Sequence, residues 1–507
     1  MGLTNENSLP SPQSGRSWQS GSVYASLGIR TIINCGSVRT FYGNSLMSDR
    51  VRLAMESAAQ DFVLLDELAE AVGARLAHLT GAEWGMVTAG SAAGLALAAA
   101  ACVAGNDPER MLRLPLCDAA PLVLAPAGHR IAYDQAIRAV GCRIGEFGSI
   151  AHLENLLSSR PASLISIFGD RDDPGSPLSL ERIAAVARRF NVPVLVDAAS
   201  DFLRAPIPWL RRGADLVVVS VGKFMRGPGA TGLLLGRESL VRAAWVNGAP
   251  HQAFGRMLKI SKEQMVGALI ALEEWLYRDP QVDEERCSAR IEQIAGRIRP
   301  VPGISVETIR QVGRVAKLRV TWDATRHPMT SEELRAALLD GSPRILLDDI
   351  GATENSVLIC PFNIADREAP IVGEAMGRAL LHPAQPRRAP AAPAVDLTGR
   401  WIIRIDFANG TRDHEFRIVQ DGPRLSGGHL LALATAELCG TIDGTRAIIW
   451  STHSWEGNAV RFTFCTERAE RNALEGLVVM GASAPHTVGP VAFGQFGEAT
   501  WRGERLR

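Results

Sequence analysis

The spacing of apolar side chains changes several times along the chain, and each change marks a predicted unit. Between Arg50 and Leu79, Val51, Met55, Ala58, Leu64, Leu68, Val72 and Leu76 recur at helical intervals, which predicts one or two amphipathic helices. An apolar run from Trp84 to Thr88 then gives way to Ala89-Gly-Ser-Ala-Ala-Gly94 and a long Ala/Leu stretch, the pattern of a strand, a tight turn and a buried helix. The alternation continues through residues 122–147 and 163–168, and a helix is predicted from Leu180 to Phe190. An all-apolar strand from Val192 to Val196 ends at Asp197, and another runs from Leu216 to Ser220. Strands apolar on both faces and separated by helices predict an α/β unit whose mostly parallel sheet is covered on both sides.

From about Ile304 the strands and helices separate (Lys317–Trp322, Ser331–Leu339, Val357–Cys360, Ala369–Leu381), which predicts a smaller α+β lobe. Residues 382–394 are a Pro/Ala linker, extended and semi-rigid. Beyond it, short alternating runs such as Trp401–Phe407, His414–Gln420 and Val460–Phe464 lie between Gly-rich turns, the signature of an all-β module, barrel or sandwich. The expected division is a flexible arm at 1–25, a large domain at 26–300, a small domain at 301–381, a linker at 382–395 and the β module at 396–507.

Composition narrows the chemistry. Lys+Arg and Asp+Glu both total 54, so nothing global points to nucleic acid or an anionic membrane. The eight cysteines are scattered without metal or redox spacing, and the first 22 residues are polar and Ser-rich. The expectation is a cytoplasmic protein with reduced thiols, no metal and no membrane span. Only four of the basic residues are lysines (223, 259, 262 and 317), so chemistry that needs a primary amine has few candidates.

Lys223 follows the buried strand Leu216–Ser220 and precedes a Gly/Pro turn. This puts an amine at the carboxyl edge of a parallel sheet, where ligands of open α/β folds bind. Desolvation there favours the neutral amine that a Schiff base requires. Asp197, at the tip of another strand, suits the pyridine nitrogen of pyridoxal 5'-phosphate (PLP); an Asp in that position also caps helices. Gly90, Ser91 and Ala92 open a helix whose free N–H groups suit a phosphate, with Ser220 as a second phosphate ligand. His129 fits either a ring-stacking or acid–base role or a structural one. Arg256 and Lys259, ahead of a helix that runs to Trp275, are candidates for a substrate carboxylate or phosphate, with a solvated basic helix start as the alternative.

With these residues in place, the chain resembles the selenocysteine synthase-like branch of PLP enzymes, and within it the D-glucosaminate-6-phosphate ammonia-lyases. The resemblance is carried by Ile32-Ile-Asn-Cys-Gly-Ser-Val-Arg-Thr40, by Leu79-Thr-Gly-Ala-Glu83 ahead of the Thr88-Ala-Gly-Ser91 turn, and by Gly222-Lys223-x-x-x-Gly227-Pro228, over roughly residues 26–381. It implies an aspartate-aminotransferase-like PLP fold of type I. Lys223 is then the Schiff-base lysine, Asp197 faces the ring nitrogen, Gly90 and Ser91 hold the phosphate, Arg39 joins the substrate-binding candidates, and the protein is a homodimer or larger homo-oligomer. Gly229 stands where relatives usually have Gln, Cys35 where a smaller residue is commoner, and the β module is an addition.

The expected activity is Cα deprotonation and β-elimination on a hydroxylated amino acid or amino sugar acid, giving a 2-keto acid and ammonia. A racemase or an aldolase would use the same residues. An aminoacyl-tRNA transferase is disfavoured by the neutral charge and the lack of a basic N-terminal domain. A reading from another class is a non-catalytic binding protein whose working part is the β module.

Overall fold

The computed structural model describes residues 23–202, 207–311, 313–382, 391–432, 434–482 and 496–506. The expected arm up to residue 22, and residues 383–390 of the expected linker, lie outside them.

Three sheets organise the chain. The largest has seven strands in the spatial order Trp84–Thr88, Gly232–Gly236, Leu216–Ser220, Val194–Asp197, Leu164–Phe168, Leu122–Pro126 and Arg143–Phe147. Gly232–Gly236 runs antiparallel to both of its neighbours, and the other pairings are parallel. Six strands therefore point their carboxyl ends to one edge. Both faces are covered. Helix Ser91–Ala104, rich in alanine and buried along most of its length, packs on one side, and Leu180–Arg189 and Lys262–Tyr277 pack on the other. This is why Leu195 and Leu216 face one core while Val196 and Val217 face the other.

The second sheet has the order Ile32–Cys35, Arg344–Thr353, Ser356–Ile359, Lys317–Trp322 and Ile304–Ile309. Its first strand comes from the start of the chain and pairs in parallel with Arg344–Leu347. Helix Pro280–Ile298 also sends Ile291, Ile294 and Ile298 into this smaller core. The sequence pattern groups both segments with residues 26–300; spatially they complete the small lobe, because a strand of four residues and one helical stripe carry no mark of a partner more than 60 residues away.

The third sheet is a closed barrel of eight antiparallel strands, each paired with the next in sequence, from Gly399–Phe407 to Glu498–Arg505. Trp401, Phe416, Phe464 and Trp501 fill its interior. Among the described residues no helix is long and apolar enough to cross a membrane.

Candidate active site

Strand register brings the site together. Thr88 lies opposite Gly232, Gly232 opposite Ser220, Val218 beside Asp197, and Asp197 beside Phe168. The Gly90-Ser91 turn, Ser220, the Lys223 loop and Asp197 therefore occupy consecutive stretches of one sheet edge. Gly232 allows the first two to meet, since a Cβ there would lie 2.6 Å from the Ser91 nitrogen. Gly90, with φ of 88°, precedes helix Ser91–Ala104, and no side chain caps that helix. Its first N–H groups are left for an anion.

Lys223 Nζ lies 3.2 Å from Ser200 Oγ. Burial lowers its pKa against the opposing pull of Asp197 and Asp170. The lysine loop is gripped by the segment that follows strand Ile32–Cys35: Ser45 Oγ donates to the Lys223 carbonyl at 2.6 Å, and the Ser45 N–H donates to that of Gly222 at 3.2 Å. Asp197 is 4% exposed, and the Ala199 N–H donates to its Oδ1 at 3.0 Å. Burial raises its pKa to about 6, with Lys223 acting in the other direction. Asp201 is likewise pushed up to about 6 by burial.

His129 and Asp197 line one small cavity at the strand ends, together with Phe168 and Ser166. The His129 Nδ1 is buried, without a hydrogen-bond partner among the described residues, and burial lowers the imidazole pKa.

Four residues belong to this neighbourhood that motif reading passes over. Ser200 is the partner of Lys223. Tyr133 has its pKa raised by burial and then by the charge of Asp197. Asp170 pairs with Arg314 of the small lobe at 2.7 Å, and Arg314 Nη1 also donates to the Ser200 carbonyl at 3.4 Å. Ser200 and Tyr133 stand close in sequence to Asp197 and His129, which is the available signal. Arg314 has none, because it arrives from another lobe.

The candidate substrate cations are placed differently. Arg39 pairs at 2.7 Å with buried Asp348, which Lys317 also contacts at 2.6 Å. Arg256 and Lys259 are exposed, in an irregular stretch ahead of helix Lys262–Tyr277. No hydrogen bond or ion pair joins those two to the Lys223 cluster among the described residues.

The donor set fits PLP. An amine with depressed pKa, a buried carboxylate in need of a cationic neighbour, a buried ring nitrogen without a partner and an open helix start stand at one edge, as this cofactor requires. A lysine and an aspartate so arranged on a mostly parallel sheet define the PLP enzymes of fold type I. The aminotransferase class-V family model matches residues 133–266, a stretch that contains both. A 5'-C-glycyluridine monooxygenase-decarboxylase of Streptomyces sp is 33% identical over 347 residues, covering 64% of this chain and 84% of that protein. A D-glucosaminate-6-phosphate ammonia lyase of Salmonella typhimurium is 29% identical over 363 residues, covering 69% and 95%. The solved structure of a D-glucosaminate-6-phosphate ammonia-lyase superposes with a TM-score of 0.63 at 26% identity, over 72% of this chain and 100% of that one. The chain belongs to the aminotransferase class-V family, and its cofactor is PLP. Since 72% of the chain accounts for the whole of that structure, more than a quarter has no counterpart in it.

Proposed function

We propose that this enzyme is an ammonia-lyase acting on a hydroxylated amino acid or an amino sugar acid, which it converts to a 2-keto acid and ammonia. The observation that carries the reading is the Lys223 amine, its pKa lowered by burial and its charge facing that of Asp197, in a chain similar to an ammonia lyase along nearly all of that protein's length. When bound, PLP supplies an aldehyde for amines and a ring that draws electrons from Cα. Lys223 would hold the cofactor through Nζ, and the same amine, when free, would be the base for the Cα proton. Asp197 would keep a proton on the ring nitrogen. The N–H groups at Ser91 and Ala92, with the Ser220 hydroxyl, would hold the phosphate, whereas the Gly90 N–H already donates to the Thr88 carbonyl at 2.8 Å, so Gly90 would serve by shaping the turn. His129, which shares a cavity with Asp197, would bound the ring, and Arg39, Arg256 and Lys259 are the cations proposed for the substrate's anionic groups, Arg39 being already paired with Asp348.

The test is keto-acid and ammonia release from D-glucosaminate 6-phosphate and from 3-hydroxylated D- and L-amino acids. Turnover on at least one supports the reading; racemisation or aldol cleavage without ammonia release overturns it. A second reading has its own observation, the 33% identity to a monooxygenase-decarboxylase. It predicts that dissolved oxygen is consumed and carbon dioxide released in step with turnover, whereas the lyase needs neither.

We also infer a cytoplasmic homodimer or larger homo-oligomer. Phe41, Leu46, Leu53, Phe62 and Leu64 are all exposed, in the segment that includes Ser45 and so touches the Lys223 loop. A patch of this kind is what a second copy covers. A monomer by light scattering at micromolar concentration would end this part of the reading.

A further inference from the structure

We propose that Glu456, at the tip of a barrel hairpin, is a positioning residue for the loop that carries His129 and Tyr133, so that the barrel sets one wall of the cofactor site. The inference rests on the site described above and concerns the barrel, which lies beyond the stretch that carries the sequence resemblance.

Three features converge at this contact. Arg130, next to His129, is 14% exposed and binds Asp134 at 2.5 Å, and its Nη2 also binds Glu456. Glu456 reaches Arg138 Nε at 3.9 Å as well. A carboxylate of the barrel thus joins Asp134 and, at 3.5 Å, Glu146 around a half-buried arginine inside the site-bearing segment. The second feature is backbone contact: a Cβ on Gly457 would lie 2.4 Å from the Ile131 carbonyl oxygen and 2.8 Å from its nitrogen, so the hairpin tip presses against the loop between His129 and Tyr133. The third is the turn. Trp455 pairs with Asn458, which leaves Glu456 and Gly457 as a two-residue loop with φ of 48° and 78°. Such turns favour Asn or Gly at the first position. Two of the barrel's other two-residue loops place Gly first, Gly422 at 54° and Gly444 at 61°, while the third turns through Ala408 and Asn409 without a positive φ. A glutamate held in a left-handed conformation at the one tip that meets Arg130 points to a function for its side chain.

The decisive variant is Glu456→Asn in the full-length PLP-loaded protein, because it suits the turn and removes the contact. The expected result is a Tm equal to or above that of the parent, amide exchange about five-fold faster at residues 129–134, and PLP binding weakened about five-fold by absorbance titration. Glu456→Gln, which keeps length and loses charge, should fall between. Parental loop exchange and PLP affinity in Glu456→Asn would overturn the proposal. So would a fall in Tm with faster exchange throughout the barrel, since that marks simple cross-linking. The exchange readout also works without PLP; a parent protein that fails to bind PLP refutes the site reading and leaves the hairpin contact separately measurable.

Discussion

Two groups of buried titratable side chains, one at the edge of the large sheet and one inside the barrel, are both pushed toward neutrality, yet the carboxyls of the first and the imidazoles of the second respond to acid in opposite directions. At the sheet edge Asp197 and Asp201 are raised to about 6 by burial, and Lys223 is lowered. In the barrel His414 is lowered to about 4 and His429 to about 2, in each case by burial first and by neighbouring imidazoles second. Those imidazoles satisfy one another: His414 Nδ1 lies 2.8 Å from His429 Nε2, while His429 Nδ1 meets Ser451 Oγ at 2.6 Å and His453 Nε2 at 3.1 Å. The sheet edge sets a buried amine against buried carboxyls beside a small cavity; the barrel sets like groups against one another, with His453 Nδ1 buried and without a partner among the described residues, as His129 Nδ1 is. Neither burial nor an orphaned ring nitrogen marks a site by itself, and the opposite charges gathered around it do.

The comparison breaks most severely at Lys223. Lys223→Ala should abolish covalent cofactor attachment and lower turnover by about 10³-fold or more, read from borohydride labelling and the keto-acid assay, with the fold intact by circular dichroism. Asp197→Asn should lower turnover by about 10²–10³-fold, the range for a lost electrostatic partner of the reacting centre. It also sharpens the contrast through stability. A carboxyl with a folded pKa of about 6 and an unfolded value near 3.8 favours the folded state below 3.8 and loses that contribution as pH rises through 6. In PLP-free protein Asp197→Asn should therefore be more stable than the parent at pH 7 by about 1–3 kcal/mol and equal to it near pH 4, by urea denaturation. PLP loading should cancel the advantage at pH 7.

The barrel should behave the other way. Histidines with depressed folded pKa values give full stability above about 6.5 and lose it as pH falls toward about 4. His429→Leu should cost about 1–3 kcal/mol at pH 7 through the broken hydrogen bonds and should flatten the acid loss of barrel tryptophan fluorescence, with turnover kept within a few-fold. A similar loss of stability, about 1–3 kcal/mol, is expected at Gly232→Ala, where crowding of the Ser91 nitrogen should also weaken PLP binding about ten-fold. An unchanged PLP affinity would remove the Gly90-Ser91 turn from the site.

Much of this architecture is legible before any coordinates. Leu216–Ser220 and the end of the strand at Asp197 stand out because unbroken apolar runs with polar ends leave little choice of boundary. The barrel strands Arg424–Leu430 and Thr435–Asp443 are harder to see. Gly427 interrupts the alternation, since a Cβ there would lie 1.8 Å from the Arg417 carbonyl oxygen on the neighbouring strand. Of the site, Lys223, Asp197 and His129 are readable because each sits at the end or just beyond an apolar run. Arg314 and Ser45 are invisible in one dimension, because the long-range contacts that bring them in leave no local pattern. His414, His429 and His453 lack any recognisable spacing and meet only when the barrel closes.

The parallel pairing of Ile32–Cys35 with Arg344–Leu347 has a consequence for how the protein is made. A nascent chain releases the edge strand of the small lobe first, and some 300 residues of translation separate it from its mate. The seven-stranded sheet can close while synthesis continues, but the lobe that brings Arg314 and holds Arg39 waits for residue 347 to leave the ribosome. Ribosome-bound chains halted before that point should acquire a protease-resistant large sheet while the segment around Cys35 remains open to cleavage.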